Sequence, residues 1–326
     1  MGEIVVTGAA GFVGSHLVEE LLRRFPDDKI IAVDSYNEYY SESTKRRNQR
    51  SLHEVEGDHL QLVAADLLTT DLGSVIPSTT RAIFHQAGQP GVRSSWGTEF
   101  SLHIDRNIAV TQRLLEFSKT LPLLERFVFA SSSSVYGDAE SYPTDESTIP
   151  RPRSPYGVTK LAAENLCSLY AANFRLPTVS LRYFTVYGPR QRPDMAFTRF
   201  CTAHLQGRPI AVYGDGTQVR DFTFVSDVVA ANVLSLVNDV SPGTVLNISG
   251  GSSVSINQVL ATLSEISGRN VDIDYTDFAT GDVTRTGGSS ERARTVLGWE
   301  PSVSLNEGLA IQYGWARDEI SLEETE

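Results

Sequence analysis

Three glycines spaced three apart stand between a short apolar run and an amphipathic helix, and no other feature limits the chain as much. Ile4-Val5-Val6-Thr7 reads as a strand, and Gly14 to Arg24 reads as a helix with Leu17, Leu21 and Leu22 on one side. The join is Thr7-Gly8-Ala9-Ala10-Gly11-Phe12-Val13-Gly14. Gly8 permits a tight turn, Gly11 lets backbone N–H groups approach a pyrophosphate, and Gly14 lets the helix lie close to the strand. The helix N-terminus then turns its partial positive charge toward the phosphates.

The alternation continues through the first half. Ile30–Val33, Leu60–Val63, Ala82–His85, Phe127–Ala130 and Thr178–Leu181 are short apolar runs that read as strands. Asn107–Ser118 and Tyr156–Phe174 read as helices. Strands this short and apolar, each followed by a helix, predict a parallel sheet covered on both faces, a Rossmann-type doubly wound α/β fold. After about Pro189 turn residues multiply, and Val225–Val237 and Ile256–Ser267 stand out as helices. A smaller C-terminal lobe is therefore expected over 189–326, after a dinucleotide domain over 1–188, with the chain free to cross back between them. The acidic tail after Asp318 is expected to fray.

Composition narrows the function classes. The formal net charge of -12 argues against a nucleic-acid partner. The one basic cluster, Lys45, Arg46, Arg47 and Arg50, reads as a solvated helix face. Cys167 and Cys201 lie far apart without metal-ligand spacing and read as buried thiols in a reducing compartment, so no metal is expected. No apolar stretch approaches the roughly 18 residues of a membrane helix, and the first apolar run leads straight into the glycine turn, unlike a signal peptide. A soluble cytoplasmic protein is the expectation.

Two sets of residues carry chemistry. Asp34, at the end of the second strand, is placed for a ribose 2′-hydroxyl and would repel a 2′-phosphate, which favours NAD over NADP. Asp66, after the third strand, is placed beside the adenine. Farther on, Tyr156 and Lys160 stand four apart on one helix, so both side chains share a face. A nearby ammonium favours a phenolate and would make Tyr156 a usable base at neutral pH. The fifth strand ends in Ser131-Ser132-Ser133-Ser134, whose hydroxyls can bond a sugar oxygen.

The G-x-x-G-x-x-G spacing, Tyr156-x-x-x-Lys160 and Ser132 resemble the extended short-chain dehydrogenase/reductases. His85-Gln86-Ala87-Gly88, Leu181–Pro189, Arg190–Met195 and Tyr213–Phe222 extend the resemblance to the nucleotide-sugar epimerase/dehydratase family over nearly the whole chain. The resemblance implies that Ser132 and Tyr156 bond the substrate hydroxyl, that Tyr156 takes its proton, and that Lys160 bonds the nicotinamide ribose. It implies that Phe12, Val13 and Leu67 line the cofactor and that Asn107 supports the site. On the substrate side it places Arg220 at the diphosphate, Tyr213 at a uracil-type base and Asp282 at the nucleotide ribose, with Phe197 and Arg199 lining the base pocket or serving as core and surface. Helices over about 98–115 and 156–174 resemble the family's dimer-forming pair, which implies a homodimer.

Which reaction follows from the shared 4-keto step depends on what flanks the serine. Family dehydratases carry Asp then Glu directly after the catalytic hydroxyl, and decarboxylases carry Glu at the second of those positions; here Ser133 and Ser134 stand there. That leaves epimerisation. Thr185, Arg192, Gln89 and Arg93 lie in runs that resemble UDP-glucuronate 4-epimerases, although Gly88 and Pro90 replace residues usually alanine there. A UDP-glucose 4-epimerase and a UDP-glucuronate decarboxylase are the alternatives, ahead of a non-catalytic NAD-sensing protein or an alcohol dehydrogenase with exchangeable cofactor.

Overall fold

A computed structural model describes residues 2–277 and 283–323. Six strands follow the expected order: β1 Glu3–Thr7, β2 Lys29–Asp34, β3 Leu60–Ala64, β4 Thr80–His85, β5 Arg126–Ser132 and β6 Thr178–Tyr183. Beyond them come β7 Thr185–Tyr187, β8 Ile210–Tyr213, β9 Val219–Phe224, β10 Thr244–Ile248, β11 Ser252–Ser255 and β12 Ile273–Thr276. The large sheet has seven strands in the order β10-β6-β5-β4-β1-β2-β3, every pair parallel. Its apolar runs are buried on both faces, in two clusters on opposite sides of the sheet, as helices on both faces require. β1 pairs with β2 on one side and β4 on the other, so the strand order reverses beside the end of β1. A crevice opens at such a reversal, and Gly8 stands at its mouth.

Smaller sheets build the second part, β11-β9-β7 and β12-β8, packed with helices Ala196–Leu205 and Ile256–Ser267. The chain crosses between the two parts more than once. Helix Val225–Val237 packs on helix Phe12–Arg24, and β10 then joins the large sheet beside β6, well past residue 188.

Three local readings change. The helix expected from Asn107 begins earlier, at Phe100, and passes through a π-helical stretch, Ile104–Ala109, before Val110–Ser118. The tail does not fray directly after Asp318: helix Leu305–Glu323 continues, and Glu319 pairs with Arg47 at 3.0 Å. The basic cluster is not a uniform solvated face. Arg46 pairs with Glu42, but Lys45 is only 4% exposed. Its Nζ donates to the Asn37 carbonyl at 2.5 Å and to Asn37 Oδ1 at 3.0 Å. Cys167 and Cys201 are both free and buried. Among the described residues no helix is long and apolar enough to cross a membrane.

Candidate active site

One cavity of about 950 Å³ runs along the C-terminal ends of β1, β2, β4, β5 and β6 and is closed by the second part of the chain. At one end lies the glycine turn. Gly8 has φ +70, and a Cβ there would stand 2.7 Å from Ala87 N. A Cβ on Gly14 would stand 2.1 Å from the Gly8 carbonyl oxygen, so the helix packs this closely only without a side chain. Gly14→Ala is therefore expected to push the helix off the strand, and purified protein should lose bound NAD on gel filtration where the parent chain keeps it. The helix starts at Phe12 with Gly11 as N-cap and no capping side chain, which leaves its first N–H groups for an anion.

Asp34 ties this turn to β2. Its Oδ2 accepts from Ala10 N at 3.0 Å and its Oδ1 from Tyr36 N at 2.8 Å, while the residue still faces the cavity. Phe12, Val13, Asp66 and Leu67 line the same end. This cradle fits NAD: glycines for the pyrophosphate, a helix start for its charge and a carboxylate for the adenosine ribose.

The reacting end is built by β5 and helix Pro155–Phe174. Ser154 caps that helix, accepting from Gly157 N at 3.1 Å, and Pro155 fits its first turn. The cap fixes Tyr156 at the cavity wall opposite Ser132. Burial pushes the Tyr156 phenol above its ordinary value, and its hydrogen bond with Ser132 and the charge of Arg192 pull it back.

Lys160 differs from the sequence expectation. Its ammonium donates to the Ala130 carbonyl at 2.9 Å, and burial drives it down to about 8. The side-chain cation that lowers the Tyr156 phenol in this arrangement is Arg192. A Cβ on Gly88 would lie 2.8 Å from Asn107 Oδ1 and 3.2 Å from Lys160 Nζ, so the glycine there makes room for both.

Asn107 does not line the cavity and is 1% exposed. The π-helical turn points its amide at the Gln89 backbone, accepting from Gln89 N at 2.7 Å and donating to Gln89 O at 3.0 Å. Asn107 thus holds the Gln89–Arg93 loop against the site. Its Nδ2 also reaches Thr159 Oγ1 at 3.0 Å, tying that loop to the Tyr156 helix.

Gln89, Arg93, Ser133, Ser134, Thr185 and Arg192 gather on the cavity wall, joined by Tyr213 and Arg220. Arg93 lies 4.0 Å over the Tyr213 ring and Arg199 5.3 Å from it, so Arg199 belongs to the cavity. Phe197 does not. It is 1% exposed and packs on Phe222 at 4.6 Å and Tyr187 at 5.2 Å. Helix Ala196–Leu205 turns Phe197 into the core and Phe200, three residues on, toward the cavity. Asp282 lies outside the described residues.

Sequence reasoning missed three contributors. His103 sets its ring edge-on to Tyr156 at 6.0 Å. Lys45 reaches the cofactor end, and Asp194 forks onto Arg192. The first two sit on helices whose periodicity says nothing of which charged or aromatic face turns inward. Asp194 stands two residues from its partner, a spacing common in any loop.

The family model described as NAD dependent epimerase/dehydratase family matches residues 4–249. A Bacillus subtilis (strain 168) protein named as an uncharacterized UDP-glucose epimerase is 42% identical over 315 residues, covering 96% of this chain and 97% of its own. A solved UDP-glucuronic acid 4-epimerase from Bacillus cereus, in complex with UDP-glucuronic acid and NAD, is 40% identical. It superposes with a TM-score of 0.93 over 97% of this chain and 99% of that one. A protein named MoeE5, solved with UDP-glucuronic acid and NAD and also with UDP-glucose and NAD, is 42% identical. Its TM-score is 0.86, over 98% of this chain and 100% of that one. The glycine cradle, Asp34 and the Ser132–Tyr156–Lys160 set are thus found in a chain that belongs to the NAD-dependent epimerase/dehydratase family and takes NAD as its cofactor.

Proposed function

We propose that this chain is a nucleotide-sugar 4-epimerase that interconverts UDP-glucuronate and UDP-galacturonate, acting as a cytoplasmic homodimer. One observation carries the choice of sugar. The hydroxyls of Ser133, Ser134 and Thr185 and the guanidinium of Arg192 line the same cavity as Tyr156, and neither of the two residues directly after Ser132 is a carboxylate. Hydroxyls with a cation suit a sugar carboxylate. The absence of an acid–base carboxylate beside Ser132 argues against loss of water from the sugar. The Bacillus cereus protein and MoeE5, both solved with UDP-glucuronic acid, support the reading.

In this reading Ser132 and Tyr156 hydrogen-bond the 4-hydroxyl and Tyr156 takes its proton. When bound, NAD accepts the hydrogen of sugar carbon 4 as hydride and returns it to the opposite face. Lys160, beside Gly88 and Asn107, binds the nicotinamide ribose. Arg220 holds the diphosphate, Tyr213 and Arg199 flank the base, and these remote contacts orient the sugar. The 4-keto uronate is a β-keto acid. The hydroxyls keep its carboxylate ionised and out of the alignment that would release carbon dioxide.

The dimer reading rests on helix Pro155–Phe174, which leaves Val158, Leu169 and Phe174 exposed along its length, with Ile104 exposed on the neighbouring helical segment. Sedimentation at micromolar concentration should give twice the mass of one chain.

The functional test is incubation with UDP-glucuronate and UDP-glucose separately, with products resolved by NMR. UDP-galacturonate should form, and faster than UDP-galactose. Formation of UDP-galactose alone would replace the uronate reading with a neutral-hexose one. Thr185→Ala and Ser133→Ala should each release a UDP-pentose by-product from UDP-glucuronate; no pentose together with unchanged uronate binding would remove the hydroxyls from the account.

A further inference from the structure

Arg192 is not simply a cation facing the cavity. Its Nε donates to Asp194 Oδ1 at 2.9 Å and its Nη2 to Asp194 Oδ2 at 2.9 Å, a two-pronged fork that fixes the plane of the guanidinium. Tyr39, from the loop after β2, donates its hydroxyl to Asp194 Oδ2 at 3.3 Å and lies 5.8 Å from the Arg192 guanidinium carbon. Gly91 makes this approach possible: with φ +105, a Cβ there would stand 2.7 Å from Tyr39 Oη and 2.2 Å from Ser94 Oγ. All of these residues line the cavity that holds Tyr156. Asp194 is also the only carboxylate among the described lining residues outside Asp34 and Asp66.

We propose that Asp194, steadied by Tyr39, is a positioning residue: it fixes the Arg192 guanidinium at the reacting end of the cavity and offsets part of its charge there. The proposal rests on the uronate reading above. A 4-keto uronate decomposes when its carbon 5–carbon 6 bond breaks. Carbon dioxide leaves, and the electron pair of that bond passes into the carbon 4 carbonyl as an enolate, to be protonated at carbon 5 by solvent. A free cation near that oxygen stabilises the enolate. A cation already forked onto a carboxylate stabilises it much less, and one held in a fixed plane cannot swing toward it. Asp194 thereby favours return of the intact 4-keto sugar over its breakdown.

The test is a double-mutant cycle on the NAD-loaded protein, with UDP-glucuronate as substrate and the ratio of UDP-pentose to UDP-galacturonate as readout. Asp194→Asn should raise that ratio about tenfold, while UDP-glucose, which has no carboxylate to lose, should give no pentose. In an Arg192→Gln background the same Asp194→Asn change should have no effect, because the residue acts through Arg192. Tyr39→Phe should shift the ratio in the same direction but less, and it carries the cycle if Asp194→Asn does not fold. An unchanged ratio in Asp194→Asn, or the same rise with Arg192 removed, would overturn the positioning role alone. A parent chain that forms no UDP-galacturonate would overturn the uronate reading and this proposal with it.

Discussion

Tyr156→Phe is expected to lower kcat with UDP-glucuronate by about 10³-fold, within the range that a positioned acid–base supplies. KM should move by only about threefold, because the contacts proposed for the nucleotide lie far from the phenol. The ring itself stays, edge-on to His103 and capped into place by Ser154, so the variant loses one O–H and little packing. The loss of rate therefore reads the proton transfer directly. Steady-state kinetics on protein that still retains NAD are the check, and a kcat within tenfold of the parent would remove Tyr156 from the chemistry.

A second large effect concerns stability. Behind the reacting strand, Arg182 on β6 forks onto Glu164 of the Tyr156 helix, Nε to Oε2 at 2.9 Å and Nη2 to Oε1 at 2.6 Å. The same carboxylate accepts from Ser131 at 2.6 Å, and Arg182 also donates to the Tyr136 hydroxyl at 2.6 Å. Both partners are buried. Arg182→Met strands the Glu164 carboxylate inside the protein, which costs about 3–5 kcal/mol. Removing both charges with Arg182→Met and Glu164→Met leaves nothing uncompensated and should recover most of that loss. Urea unfolding midpoints of the single and double variants are the measurement. A single variant as stable as the parent would mean that the pair is not desolvated in solution. This network joins β5, β6 and the helix that carries Tyr156 and Lys160, so the single variant should also lose activity at temperatures where the parent is intact.

What the sequence makes legible is what short-range spacing encodes. Gly11 and Gly14 declare the turn because the clash that each avoids is with the backbone of Gly8 or Ala9, a few residues away, whereas Gly8 makes room for Gln86 and Ala87 far along the chain. Tyr156 and Lys160 declare themselves because a helix places residues four apart on one face. What stays illegible depends on partners distant in the chain. β10 enters the large sheet from beyond residue 240, and nothing in its own residues states which strand it joins. Lys45 turns inward because Asn37 offers it two oxygens, a fact that its basic neighbours conceal. Phe197 turns into the core onto Phe222 and Tyr187, and helix Ala196–Leu205, which sets that face, was not read from the sequence. The Tyr39–Asp194 bond spans the two parts of the chain, and only the fold brings its ends together.

The cavity oxidises and re-reduces a single carbon of a hexose without exchanging that hydrogen with water. UDP-glucuronate carrying deuterium at carbon 4 tests it in one step. UDP-galacturonate is expected with the deuterium still at carbon 4 and its configuration inverted, as read by NMR in ordinary water. Product with hydrogen at carbon 4 would contradict it.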